Sequence, residues 1–537
     1  MRDKKNSPFV AIVPLLLVLL VGFPQGSLAA DDGVTDIFRT STFGAVLATD
    51  DAVRIAYPGT VERVEINFAP LTLSPPEKAG LVMIRLERNG ISFRARCTRL
   101  TVGPQGTLTW HGRSIEGDGS VIIAFNEDVA FGQIEVNGRT FKIEPDRATP
   151  DHLVFEPNPE FAVPICGGEM VPGSLPPAEE SPVPGPGAAI TTIDLLILYT
   201  NGFAAAYPGN QLGAQINFLV AVMNESLWNS KVNMQVRLVG TSQVQFRDTG
   251  SLSEPLDALV GRGSAQDRAA FTGVNNLRNQ LGADQVSLLR VFGSSNNYCG
   301  LAWTWLNVNS NFAGWGFSVV QVGRYDTGGG GYSYCSDQTL AHEMGHNWGL
   351  NHNLGDQAIF NYSVGFRFGN GQYMTVMSYQ SQGGNEQTVS HYSNPRVRYS
   401  GFKTGSKKCN SAKSINTVRQ TVAGWRATRV SADRKAPKNK TKANFINYGA
   451  ASTSSRTVTL ALFGKDKRGI VGYYVSESSA TPAAWQAGWI AVATTKKFKR
   501  NVQFSLSSGN GVKRVYVWFR DAAGNVSKVK SDTITLQ

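Results

Sequence analysis

The feature that most constrains this chain is an eleven-residue run, His342-Glu343-Met344-Gly345-His346-Asn347-Trp348-Gly349-Leu350-Asn351-His352, which holds three of the chain's six histidines. On a helix, His342 and His346 lie about 40° apart and one turn along, so both reach a single ion. Glu343 falls beside them without being needed as a ligand. Gly349 lets the chain leave the helix in a left-handed turn, which brings His352 back as a third ligand. A fourth coordination place then stays free for solvent, as a catalytic zinc site requires. Leu340, Met344 and Trp348 form the opposite stripe, expected to pack inward and hold the helix rigid. Ser336 or Asp337 is the expected cap.

This pattern predicts one catalytic Zn2+ held by His342, His346 and His352. Zinc lowers the pKa of a bound water toward about 7. Glu343 is the expected general base, taking the water's proton and passing it to a leaving amine.

The regions around the motif differ in character. Ile193 to Tyr199 is a near-continuous apolar run, expected of a strand covered on both faces. Helical spacing follows over Leu212 to Trp228, alternation over Met234 to Val239, a second helical pattern over Ala265 to Leu281, a buried strand over Val286 to Phe292, and a last helix over Ser411 to Trp425. Strands alternating with helices predict an α/β unit over 191–430, with a mixed, mainly parallel sheet. Upstream, 30–170 reads as short strands set off by Gly and Asp. Six prolines between Pro172 and Pro186 make 171–190 an extended, accessible linker where a protease can cut. Residues 431–444 form a basic connector, and the short strands of 445–537 predict a β-sandwich. The fold class is therefore multidomain and largely β, with the helix of the histidines inside an α/β unit.

The N-terminus reads as an export signal over 1–29. Arg2, Lys4 and Lys5 precede an apolar run from Phe9 to Phe23, and Ser27-Leu28-Ala29 offers the small residues of a cleavage site. The run is short for a bilayer span, and no later segment is long enough. The expectation is a secreted, extracellular protein with no membrane span after cleavage, in a compartment where disulfides form.

The net charge of +12 is uneven: 18 Lys/Arg against 5 Asp/Glu from Ser431 onward, 34 against 35 before it. That balance offers no specific nucleic-acid site in the α/β unit. The basic C-terminal segment, with Lys496-Lys497-Phe498-Lys499-Arg500, suits acidic polysaccharide or a cell surface, or serves as a solvated face.

The extended histidine pattern resembles that of the metzincin metalloproteases at every fixed position. Tyr373-Met374-Thr375-Val376-Met377-Ser378-Tyr379 resembles the family's methionine turn, with Met377 as its methionine. Tyr379 stands where some members place a tyrosine that supports the transition state. Across Ile193 to Trp425 the resemblance is to reprolysin-like enzymes. Cys299-Gly300-Leu301-Ala302-Trp303 is similar to their substrate-side edge strand, and His391-Tyr392-Ser393-Asn394-Pro395 to the stretch after the methionine turn. Asn353 departs from the Asp usual after the third histidine. Three ligands being supplied, His391 is expected in a pocket or on the surface.

The resemblance implies an endopeptidase acting on protein or peptide substrates, with 30–170 as a β-rich propeptide and 445–537 as an immunoglobulin-like or fibronectin-like module. Val163-Pro164-Ile165-Cys166-Gly167 is similar to a cysteine-switch motif, in which the thiolate of Cys166 fills the open zinc position. A Cys97–Cys166 disulfide is the rival reading. Of Cys299, Cys335 and Cys409 only one pair can form, and Cys299–Cys335 is favoured. From a different class, a surface adhesin with a non-catalytic zinc domain is the alternative, against which the intact Glu343 speaks.

Overall fold

The computed structural model describes residues 34–43, 61–72, 81–103, 106–163, 165–166, 169–170, 189–293, 297–306, 310–328, 331–381, 384–429, 435–479, 481–482, 489–521 and 525–537. The export-signal reading and most of the proline-rich linker lie outside these residues.

Two-residue turns dictate much of the upstream sheet. Asn137 and Gly138, both at positive φ, join Val129–Val136 to Arg139–Pro145 as a tight hairpin. Ten strands follow one another in an almost wholly antiparallel order from Thr35–Asp36 through Leu81–Leu86 to Phe38–Thr40. The run 35–40 pairs first with Leu81–Leu86 and then with Glu62–Ile66, so one short segment joins the two ends of the sheet. Closure removes free edges, and Trp110, Ile123, Ile134 and Phe141 fill the interior.

The central sheet has six strands in the order Glu169–Met170, Gly300–Thr304, Phe317–Val322, Gln285–Val291, Thr191–Tyr199, Met234–Gln243. Four of these are parallel, as expected of strands separated by helices. Gly300–Thr304 runs antiparallel at what would otherwise be the edge. Glu169–Met170 covers it, paired in parallel with Trp303 and Thr304.

The helix Asn210–Asn229 is buried on two sides for two reasons. Ile216, Leu219, Val220, Met223 and Leu227 face the central sheet. Ala214, Phe218, Ala221 and Val222 face Ile122, Ala124 and Phe131 of the upstream sheet. Two apolar stripes thus let one helix glue the two sheets together. The pattern over 265–281 forms two helices, Ala265–Ala269 and Val274–Leu281, instead of one. Gly273, at φ 88°, breaks it, because glycine has no side chain to hold it in helical conformation.

The last six strands form one hydrogen-bonded sheet instead of two separate ones. Its longest strand, Thr457–Ser476, pairs with Ile490–Ser505 along its length and with Gly511–Asp521 at its end. An irregularity between Lys465 and Ile470 divides the strand, and both arms contribute to one core, Leu460 and Leu462 from the first and Ile470 and Tyr473 from the second, packed with Phe498, Val517 and Phe519. Among the described residues no helix is long and apolar enough to cross a membrane.

Candidate active site

The histidine helix spans Thr339–Asn347, and every residue in it is buried. Its cap is neither Ser336 nor Asp337. Gln338 takes that position without a side-chain cap, because the Asp337 carboxylate is engaged by Lys142 at 2.8 Å. Ser336 instead accepts from the Thr339 amide through its carbonyl, at 3.0 Å. The inward stripe of Leu340, Met344 and Trp348 is fully buried. Asn347 donates to the carbonyls of Trp303 and Phe317 at 2.8 and 3.2 Å, bolting the helix to the sheet strands beside it. From below, Tyr392 donates to Ala341 O at 2.8 Å. At the exit, Gly349 adopts φ 82°, and a Cβ there would lie 2.6 Å from Ile359 and 2.8 Å from Trp305 O.

The Nε2 atoms of His342, His346 and His352 stand 3.0 to 3.2 Å from one another. A tetrahedral zinc bound at ~2.05 Å from each nitrogen would set them about 3.3 Å apart. The tautomers follow from the other ring nitrogens. His342 Nδ1 lies 2.7 Å from Val376 O and His346 Nδ1 2.9 Å from Leu350 O. A carbonyl can only accept, so Nδ1 carries the proton and Nε2 presents its lone pair. Burial pushes the imidazoles down, His346 to about 4 and His342 well below the ordinary value, which keeps both neutral. Lone pairs of neutral rings repel at such distances unless a cation sits between them. The donor set therefore fits a zinc-class metal.

Cys166 completes the cluster. Its Sγ lies 3.3 Å from His346 Nε2 and 3.5 Å from Glu343 Oε2. The four potential ligand atoms fall within 4.8 Å of one another. Neither Cys97 nor Cys166 is in a disulfide, so the rival pairing does not form. Cys299 is bonded to Cys335, and Cys409 is free and buried. Glu343 is fully buried with Oε1 unpartnered, and burial holds its carboxyl well above the usual carboxylate range. The Tyr379 ring stacks on His352 at 3.8 Å, and its hydroxyl donates to Cys166 O at 2.7 Å. Met377 is fully buried in the turn beneath the site, its sulfur against Gly345, where there is no room for a Cβ. His391 is buried outside the cluster, against Tyr399.

Three features were not singled out from sequence. Gly300 is one: a Cβ there would overlap the Glu343 carboxylate, so only glycine lets the strand pass over it. Its presence beside Cys299 was the available signal. The second is the upstream chain lying on the sheet edge. Cys299 donates to Ile165 O at 3.1 Å, Val163 donates to Tyr334 O at 3.0 Å, and Cys166 bridges to Gly300 in parallel. The third is a set of contacts holding the upstream sheet. Besides Lys142–Asp337, Glu144 pairs with Arg324 at 3.1 Å, Glu225 receives Arg113, and the Arg99 guanidinium lies 3.5 Å over the Trp228 ring. A cavity of about 740 Å³ between the two parts is lined by Lys142, Cys166, Asp337, Tyr379 and Glu386.

Residues 189–414 match the family described as Metallo-peptidase family M12B Reprolysin-like. A peptidyl-Asp metalloendopeptidase of Stenotrophomonas maltophilia strain R551-3 is 25% identical over 354 residues, 62% of this chain and 76% of that one. Its counterpart from strain K279a is 25% identical over 453 residues, 77% of this chain and 97% of that one. Among solved structures, a chaperone–substrate complex aligns at 18% identity and a TM-score of 0.35, covering 55% of this chain and 39% of that one. Sequence match and metal-ready histidines together define a metallopeptidase, a hydrolase of peptide bonds. More narrowly, residues 189–414 are similar to reprolysin-like metallopeptidases, and the named relatives are metalloendopeptidases.

Proposed function

We propose that this chain is a secreted, zinc-dependent endopeptidase of extracellular proteins, made as a latent precursor in which the segment before the proline-rich run is the inhibitory part. The observation that carries the reading is the convergence of three imidazole Nε2 atoms with the Cys166 thiol on one point beside Glu343.

His342, His346 and His352 would hold the ion, with the carbonyls of Val376 and Leu350 fixing two of the rings. Zinc, when bound, supplies Lewis-acid polarisation of a peptide carbonyl and acidifies water. Glu343 holds the moving proton on its carboxylate and delivers it to the leaving amine. In the precursor, burial raises the proton affinity of that carboxyl. Tyr379, once its hydroxyl is freed from Cys166 O, is placed to donate to the oxygen on which charge develops. Cys166 blocks the position a substrate carbonyl needs, and the chain around it lies along the strand that a substrate would pair with. Cutting the linker releases both blocks. The basic C-terminal part would tether the enzyme to an acidic polysaccharide or cell surface.

The test is proteolysis of casein, and of aspartate-containing peptides suggested by the relatives' names, by protein cut within 171–190. Activity should vanish with a chelator, return with stoichiometric zinc, and be lost in Glu343→Ala although zinc still binds. A processed protein that carries zinc yet cleaves nothing, or a Glu343→Ala variant with full activity, would overturn the proposal.

A further inference from the structure

The sequence shows Lys497 and Lys499 as part of a local basic run, but strand register assembles a wider array. Lys438 lies directly opposite Lys465, and Lys465 directly opposite Lys497, three lysines in one row across three strands. In the next row on the same face, Lys499 lies opposite Phe463. On the other side of Phe463 stands Lys440, whose amide donates to Phe463 O at 2.8 Å. Five exposed ammonium groups therefore surround one half-buried aromatic ring. With strands ~4.8 Å apart and same-face residues ~7 Å apart, the array covers about 10 by 7 Å.

Like charges directly opposite one another destabilise a sheet, and nothing described in the chain relieves them. None of the five lysines makes an ion pair with a described residue. The nearest acid in sequence, Asp466, is turned into its own loop, accepting from the amides of Arg468 and Gly469 at 2.7 and 2.8 Å. The face continues with amides and hydroxyls: Asn501 donates to the exposed Tyr448 hydroxyl at 2.8 Å, and Gln503 to Thr459 at 3.1 Å.

We infer that this face, Lys438, Lys440, Lys465, Lys497 and Lys499 around Phe463, is a binding site for an acidic polysaccharide. An array of lysine point charges on a flat sheet suits carboxylates or sulfates spaced along a sugar chain, with neighbouring amides and hydroxyls for the sugar hydroxyls. Single-stranded nucleic acid is instead held in grooves with aromatic rings open to stacking bases. Here the central ring is half-buried, and Lys465 Nζ lies 5.4 Å from its centroid. The inference deepens the tethering part of the proposed function. Its readout is binding alone, so a failure of the peptidase reading would leave the result unchanged.

The experiment uses the full chain carrying Glu343→Ala, to prevent self-cleavage, with heparin and polygalacturonate as probes. The triple variant Lys465→Gln/Lys497→Gln/Lys499→Gln should bind at least tenfold more weakly. The salt dependence of its affinity should flatten by about three ions, one per lost contact. A control removing equal charge elsewhere, Lys467→Gln/Lys496→Gln/Lys528→Gln, should stay within threefold of the parent. Equal losses in both variants would overturn the inference, as would tighter binding to single-stranded DNA of matched length or no binding by the parent. Matching thermal unfolding of the three proteins confirms that the comparison is between folded chains.

Discussion

Lys142 is the point at which the proposed latency is most open to a single substitution. Its side chain and that of Asp337 are only 13% and 11% exposed, with 2.8 Å between charged atoms. Burial alone would lower the ammonium's pKa, but Asp337 and Glu144 hold it above the ordinary value. Lys142 belongs to the upstream sheet and Asp337 to the approach of the histidine helix, so the pair exists only while the two parts are together. Lys142→Met leaves the Asp337 carboxylate buried without its cation, and breaking one side of such a pair costs ~3–5 kcal/mol. When the upstream sheet lifts away, Asp337 meets water and that cost disappears, so the penalty falls wholly on the closed state. At ~1.4 kcal/mol per tenfold change, opening becomes roughly two to three and a half powers of ten more frequent. The assay is native-state alkylation of Cys166 by a neutral maleimide in a Glu343→Ala background, located by peptide mass mapping because Cys97 and Cys409 are also free thiols. Lys142→Met should label at least a hundredfold faster. Lys142→Met/Asp337→Leu, which removes both charges, should return most of the way to the parent rate. A single variant labelling at the parent rate, or a double variant as fast as the single, would refute the latch.

Gly300→Ala should cut kcat/KM at least a hundredfold in the processed enzyme with zinc content unchanged, because the added methyl displaces Glu343 and no ligand; wild-type turnover would contradict the steric argument. His152 is buried, and its Nε2 accepts from the Ala130 amide at 2.9 Å. Burial pushes its pKa down to about 4. The unfolded chain therefore binds the extra proton first, and the stability His152 contributes is complete above about pH 6.5 and lost as pH falls toward 4. The loss amounts to roughly 3 kcal/mol. Chemical denaturation of the precursor across that window should show the decline, and His152→Gln should flatten it; an identical slope in the variant would remove His152 as its source.

What the sequence disclosed was what local spacing controls. The histidine run reads out because a helix fixes residues four apart on one face, and Gly349 signals the exit by its own backbone freedom. Periodicity discloses the strands Thr191–Tyr199, Met234–Gln243 and Gln285–Val291 and the helices Asn210–Asn229 and Ser411–Ala423, but not the strand Phe317–Val322 or the helix Ser253–Leu259. The pattern over 265–281 misled because Gly273 sits inside an otherwise helical spacing, where the choice between one helix and two rests on ~1 kcal/mol. Lys142–Asp337 and the row Lys438, Lys465 and Lys497 depend on register between distant segments, which no single stretch of sequence specifies. The missed cap follows from the same cause: Asp337 is drawn away by a partner contributed from another sheet.

In the proposed latent precursor the Cys166 thiol is one block, and the strand around it is a second. Glu169 and Met170 pair with Trp303 and Thr304, Cys166 bridges to Gly300, and Ile165 O accepts from Cys299. Tyr379 is held on Cys166 O, a backbone atom that no side-chain substitution removes. Cys166→Ser therefore frees the metal position but leaves the edge strand paired and the tyrosine engaged. With the linker intact and resistant to cleavage, the variant should show measurable activity, above the parent precursor but under a tenth of that of the processed enzyme. The comparison is one of initial rates on a short peptide, with the chain's integrity checked by mass. A variant as active as the processed enzyme would mean that the sulfur alone maintains latency, and that the strand pairing follows from it without contributing.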